Sequence, residues 1–131
     1  MPPDLVSDLL TRVRNAVRNR RAYVDVLPSR FVVAVLAVMR REGFIWDVAV
    51  AEVGGRAGLR VHLKYGPNGE LVINDLRRVS RGGRRVYCGV HDIGSVRTGT
   101  GVTILSTPEG VFSGREAKSK GVGGEVVALI W

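Results

Sequence analysis

The chain of 131 residues has a single cysteine, Cys88, so no internal disulfide can staple it and no Cys-x-x-Cys spacing is present to hold zinc. Histidine is nearly as scarce. His62 and His91 lie far apart in sequence and form no metal motif, and nothing brings either to a nucleophilic serine such as Ser106. No nucleophile elbow or phosphate-binding glycine loop occurs. The expectation is therefore no catalytic residue, no metal ligand, no cofactor and no small-molecule substrate. No apolar run approaches the ~20 residues of a membrane span, and the N-terminal stretch lacks the apolar core of a secretory signal. Acids are in deficit, 12 against 20 Lys+Arg, giving a formal net charge of +8. That balance points to a polyanionic partner, nucleic acid or an anionic membrane surface. The basic residues are not gathered on one strongly amphipathic helix, which argues against the membrane. What is abundant is apolar content, 45% of residues, enough for a real core in one domain or two small lobes.

Asp4 is placed to cap a helix in which Leu5, Leu9, Leu10, Val13 and Val17 recur at three- and four-residue spacing. Arg12, Arg14 and Arg18 fall mostly off that stripe, as a solvated face or as an edge toward phosphate. Tyr23 to Leu27 reads as a short strand. Pro28 and Ser29 stop it and cap a second helix, Arg30 to Glu42, apolar nearly all round and closed by Gly43. Trp46 to Val53 alternates as a strand, Gly54 to Gly58 reads as a hairpin loop, and Leu59, Val61 and Leu63 alternate with Arg60, His62 and Lys64. After a Gly66-Pro67-Asn68-Gly69 turn, a further strand is expected from Glu70 to Leu76. The pattern predicts an α+β fold of two small lobes that share an interface. Residues 1–76 form an N-terminal α-β-α-β-β(-β) lobe. Residues 77–131 form a mostly β C-terminal lobe with a short helix, entered through an Arg-rich connection at 77–85.

That connection, RRVSRGGRR, holds five arginines and no acid, with Tyr87 close behind. It reads either as a solvated linker or as an RNA contact, since guanidinium groups pair with phosphate and stack on bases. Cys88 is read as a packing residue. Asp92 to Val96 is expected to make one helical turn, and Thr98 to Gly101 a glycine-rich lead. From Gly101 the chain runs GVTILSTPEGVFSGREAKSKGVGGE. Val102 to Ser106 is an alternating strand, Thr107-Pro108-Glu109-Gly110 a turn, and Val111-Phe112 a short return. Ser113 and Glu116 have capping-box spacing ahead of a short basic helix that Gly121 ends. Gly123 and Gly124 permit close backbone approach, and Glu125 opens a last apolar strand to Trp131. Hydroxyls, turn N–H groups and a double glycine make a surface suited to an anionic or polar partner, or simply a structural hairpin with a capped helix.

The chain resembles the bacterial form of the S-eight family of small-subunit ribosomal proteins. Gly101, Ile104, Leu105, Ser106, Thr107, Gly110, Val111, Ala117 and Lys118 fit its C-terminal signature. Asp8, Leu10, Thr11, Arg12, Val13, Arg14 and Asn15 fit its opening. Arg78, Val79, Ser80, Arg81, Gly83, Arg85, Val86 and Tyr87 fit its arginine run. Phe112 departs from the pattern, and Pro108 and Glu109 stand where bacterial members commonly carry Ser and Lys, which inverts the loop's charge. The resemblance implies a structural constituent of the small subunit that binds the central domain of small-subunit ribosomal RNA, aids assembly, and touches neighbouring small-subunit proteins. It implies the cytoplasmic ribosome of a bacterium, or alternatively a mitochondrial or plastid one. The RNA-binding residues it implies are Asp4, Thr11, Arg12, Arg14 and Arg30 in the first lobe. In the second they are Arg78, Arg81, Arg84, Arg85, Tyr87, Ser106, Thr107, Pro108, Gly110, Lys118, Gly123, Gly124 and Glu125. The alternative function is a free-standing basic RNA-binding or chaperone module.

Overall fold

Helix α1 (Leu5–Arg18) starts where expected, because the Asp4 carboxylate accepts from the Ser7 amide at 3.0 Å and from its hydroxyl at 2.6 Å. Its stripe of Val6, Leu9, Leu10, Val13 and Val17 is buried. Helix α2 (Arg30–Arg41) is capped by Ser29, whose oxygen accepts from the Val32 amide. Beside these helices stands a three-stranded antiparallel sheet of β1 (Tyr23–Val26), β2 (Ile45–Val53) and β3 (Arg56–Leu63), in the order β1-β3-β2. Val26, Val61 and Leu63 join Val32, Val35, Leu36 and Met39 in the core. Each such side chain contributes roughly 1.5–3 kcal/mol on full burial. The structure, a computed structural model, describes residues 4–95 and 101–131. The chain divides into two compact units, Met1–Asn74 and Asp75–Trp131.

Two local expectations differ from the structure. The hairpin loop is not residues 54–58 but only Gly54 and Gly55, at φ 57° and 79°, with β3 already running from Arg56. Two consecutive residues in the left-handed region make the tight turn whose twist suits antiparallel strands. The strand expected over 70–76 does not form. Leu71 makes one isolated bridge to Tyr65, while Ile73 and Leu76 are buried three residues apart, a spacing that no strand face supplies.

The second unit is a sheet ordered β4-β8-β6-β7, with β5 also on β8. The strands are β4 (Leu76–Arg78), β5 (Tyr87–Cys88), β6 (Val102–Thr107), β7 (Gly110–Ser113) and β8 (Gly124–Ile130). β8 is central, and its residues from Val126 to Ile130 are all buried, which accounts for an unbroken apolar run where an exposed strand would alternate. Helix α3 (Gly114–Lys120) carries the expected capping box, Ser113 with Glu116 at 3.1 and 2.9 Å, and ends at Gly121 in the left-handed conformation. Ala117 packs with Leu105, Val126, Ile93 and Cys88. The helical turn near Asp92 is a 3₁₀ segment, Val90–Ser95. The expected glycine-rich lead at 98–100 lies outside the described residues.

Candidate nucleic-acid interface

The turn between β6 and β7 is held by a threonine. Thr107 pairs with Gly110 across the hairpin. Its hydroxyl donates to the Gly110 carbonyl at 2.8 Å and accepts from the Glu109 amide at 3.1 Å. Gly110 sits at φ 135°, a conformation closed to most side chains. Pro108 and Glu109 are exposed at the tip. The hydroxyl left available is that of Ser106, which has no hydrogen-bond partner among the described residues and is half-buried. Sequence reasoning treated the two hydroxyls alike, whereas the structure makes Thr107 an internal brace and leaves Ser106 open.

Cross-strand register carries Ser106 to its neighbours. Ser106 faces Glu125 on β8 and Val111 on β7, and Glu125 faces Tyr87 on β5. Residues directly opposed across antiparallel strands share a face. Tyr87, Glu125 and Ser106 therefore form one row, with the Tyr87 side 72% exposed. The Glu125 carboxylate is held by Arg85 Nη1 at 3.0 and 3.2 Å, and only 17% of its side chain is exposed against 53% for Arg85. Glu125 is thus an internal counter-charge, and it takes Arg85 out of the pool of free cations.

The double glycine is explained by the protein itself. A Cβ on Gly124 would lie 2.2 Å from the Ser106 carbonyl oxygen and 3.1 Å from Thr107 Cα. One on Gly123 would lie 2.3 Å from the Cys88 carbonyl oxygen. These are backbone atoms of adjoining segments, so Gly124 is needed for β8 to close on the Ser106–Thr107 strand end and Gly123 for it to close on Cys88 and Gly89.

Residues 77–85 are structured, as strand β4 and a tight hairpin. Arg81 and Arg84 exchange backbone hydrogen bonds at 2.9 and 3.0 Å around Gly82-Gly83. Ser80, fully buried, pins the base of the loop, accepting from the Val86 amide at 2.8 Å and donating to the Val86 carbonyl at 3.1 Å. A cleft of about 630 Å³ opens here among Arg77, Arg78, Arg81, Arg84 and Leu129. Arg78 reaches the Val127 carbonyl at 2.8 Å. The Arg81 and Arg84 guanidinium groups are exposed and unpartnered among the described residues. Arg77 lines the same cleft with its guanidinium 5.8 Å from the Trp131 ring centre. Sequence reasoning left Arg77 and Ser80 off the site, although both stood in the arginine run. Lys118 is exposed on α3, and its ammonium group has no partner among the described residues. Burial, with Asp92 adding to it, pushes the Cys88 thiol up, so the lone cysteine is a poor nucleophile.

In the first unit, Asp4 is the N-cap of α1 and is exposed. Arg12 is bound to Asp8 at 2.8 Å and to the Asp25 carbonyl at 3.4 Å. Thr11 is exposed and Arg14 half-buried. Arg30 is exposed at the first position of α2, whose first turn carries no acid, a placement that favours a nearby anion over a lone cation. Among the described residues no group of three or more His, Cys, Asp or Glu is gathered as a metal would require. Among the described residues no helix is long and apolar enough to cross a membrane.

The sequence from residue 4 to residue 131 matches the family model described as Ribosomal protein S8. The chain is 48% identical to the small ribosomal subunit protein uS8 of Thermus aquaticus, aligned over all of both chains. It is 47% identical to the protein of the same name from Acidobacterium capsulatum, over 98% of this chain and 97% of that one. With the Streptococcus pneumoniae protein of that name the identity is 44% over the same shares.

Proposed function

The chain belongs to the ribosomal protein S8 family, and on that premise we propose that it is a structural constituent of the small ribosomal subunit that binds the central domain of small-subunit ribosomal RNA and holds a helical junction in shape during assembly. One observation carries the RNA reading. The open Ser106 hydroxyl and the exposed Tyr87 ring lie in one row of the second unit's sheet, and the same unit carries two unpartnered guanidinium groups, Arg81 and Arg84.

That arrangement divides the work. Arg81, Arg84 and Arg77 meet phosphates, which fixes position without reading sequence. Ser106 and Tyr87 meet sugar hydroxyls and base faces, as recognition of irregular RNA helices requires. Thr107, Pro108 and Gly110 keep the turn in shape, Gly123 and Gly124 bring the strands together, and Glu125 fixes Arg85. Lys118, with Thr11, Arg14 and Arg30 of the first unit, adds phosphate-level contacts, while Asp4 and Arg12 act through helix α1. Neighbouring small-subunit proteins complete the surroundings. The relatives named above come from bacteria, which supports a bacterial cytoplasmic ribosome as the location over an organellar one. The test is co-sedimentation of the tagged chain with small subunits, followed by ultraviolet crosslinking. Stoichiometric recovery with RNA adducts at Tyr87 is expected. A chain absent from small subunits would remove the proposal.

A further inference from the structure

Among the described residues β2 pairs with β3 alone, so one edge of the first unit's sheet meets no strand. Val53 and Arg56 close the two-residue turn as a hydrogen-bonded pair, and every second residue back along β2 then bonds to β3. The backbone amides and carbonyls of Val48, Val50 and Glu52 therefore point outward. The Val48 amide is met by the neighbouring Asp47 carboxylate at 2.8 Å, in place of a strand partner. β2 (Ile45–Val53) runs for nine residues without a proline or a lysine, the residues that commonly blunt such an edge.

Beside that edge lies a cleft of about 280 Å³ between α2 and β2. Val33, Ala37, Val48 and Leu59 line it, and Arg40, in the last turn of α2, closes one end with Asp47. Val50 stands opposite Leu59 and shares the sheet face of Val48 and Val61, which packs toward the helices, yet it is 85% exposed. Val33 is 50% exposed. Two charges here are weakly engaged. Arg40 lies 3.7 Å from Asp47, with both side chains 62% exposed. The Glu52 carboxylate has no partner among the described residues.

We propose that β2 pairs antiparallel with β2 of a second copy of this chain, about a two-fold axis at Ala49. In that register Val48 and Val50 of one copy face Val50 and Val48 of the other and exchange their outward backbone hydrogen bonds. Val50 enters the other copy's cleft beside Val48. Glu52 comes opposite Trp46 on the face that α2 covers, within reach of the other copy's Arg40. Each copy supplies both the valine and the cleft, and both the carboxylate and the guanidinium. The contact is therefore self-complementary and closes as a dimer, which selects a second copy over an unrelated strand. β2 carries two acids and no base, so it is a place where chains of net charge +8 can approach one another. One strand pair makes a small interface, and the dimer is transient, populated at high concentration. It concerns the chain free of RNA and stands independently of the ribosomal reading.

The test is sedimentation equilibrium of the full, RNA-free chain at moderate salt, over a concentration series from micromolar to millimolar. The mass should rise toward that of two chains. Val50→Lys, at an exposed position that leaves the fold intact, should stay monomeric throughout. Glu52→Arg should weaken association several-fold, and Glu52→Arg combined with Arg40→Glu should restore it. Under mild oxidation Ala49→Cys should form an intermolecular disulfide, because the two-fold brings its two Cβ atoms together as a non-hydrogen-bonded pair. Ala51→Cys, which falls opposite Asp47 in this register, should not, and the native Cys88 is buried. A wild-type chain that stays monomeric at millimolar concentration would leave the edge to a different protein and overturn the proposal. So would undiminished association in Val50→Lys, no restoration in the charge-swapped variant, or crosslinking of Ala51→Cys equal to that of Ala49→Cys.

Discussion

Thr107 and Gly124 show how much of this surface is built to hold its own shape. Replacing Thr107 by Val keeps the volume and deletes both turn bonds. At about 0.5–1.5 kcal/mol per hydrogen bond the two together are worth about 1–3 kcal/mol, with the loss near the lower end because both bonds are exposed. Thr107→Ser retains both bonds and should recover most of it. Urea denaturation of the pair reads this directly, and equal stabilities for Val and Ser would show that the hydroxyl does not brace the turn. Gly124→Ala should cost more, since the new methyl meets the β6 backbone and no flexible side chain can give way. A loss of at least about 2 kcal/mol is expected, at the upper side of overpacking costs. The sequence displayed Ser106, Thr107 and the double glycine plainly. It did not tell which hydroxyl was already engaged, because that depends on where the Gly110 carbonyl and Glu109 amide point once the hairpin closes. Nor did it show that the glycines face the protein's own strands, which is a matter of non-local pairing.

At the scale of elements, the arginine hairpin and the three-stranded sheet make separate predictions. Arg81 and Arg84 are exposed and unpartnered, while Arg85 is already neutralised by Glu125. Each phosphate contact removed lowers the salt slope of log K by roughly one. Arg81→Ala with Arg84→Ala should therefore lower the slope by about two, measured by filter binding over a salt series. An unchanged slope would place the hairpin off the RNA. In the sheet, hydrogen bonds from Arg60 hold the Asp25 carboxyl below its ordinary value of 3.8. A depressed folded-state pKa contributes stability above the unfolded value and loses it as pH falls through the folded one. The pairing of β1 with β3 should weaken on acidification below about pH 4, and Asp25→Asn should flatten that part of the stability profile. The effect is small because the pair is solvent-accessible. The wild type and the variant falling in parallel would exclude this pair as the cause.

Helices were the most legible elements, since Asp4, Ser29, Ser113 with Glu116, Gly43 and Gly121 all announce their ends locally. The strand expected at 70–76 rests on a short apolar run, Leu71 to Ile73, with no alternation to define a face. Its last residue, Leu76, pairs with Ile130, more than fifty residues on, and nothing local marks that choice.

For the whole molecule, the excess of eight positive charges promotes binding to any RNA, so affinity alone says little about function. The account requires a directed preference built from the few neutral and aromatic groups left open on the second unit, above a phosphate background from its arginines. The most direct measurement is equilibrium binding of the full chain to separate transcripts of the 5′, central and 3′ domains of small-subunit ribosomal RNA at one moderate salt concentration. The account predicts at least about a hundredfold tighter binding to the central domain, below the usual span of specific over non-specific affinity, with Ser106→Ala narrowing that gap while leaving the other two affinities unchanged. Equal affinity for all three transcripts would contradict it.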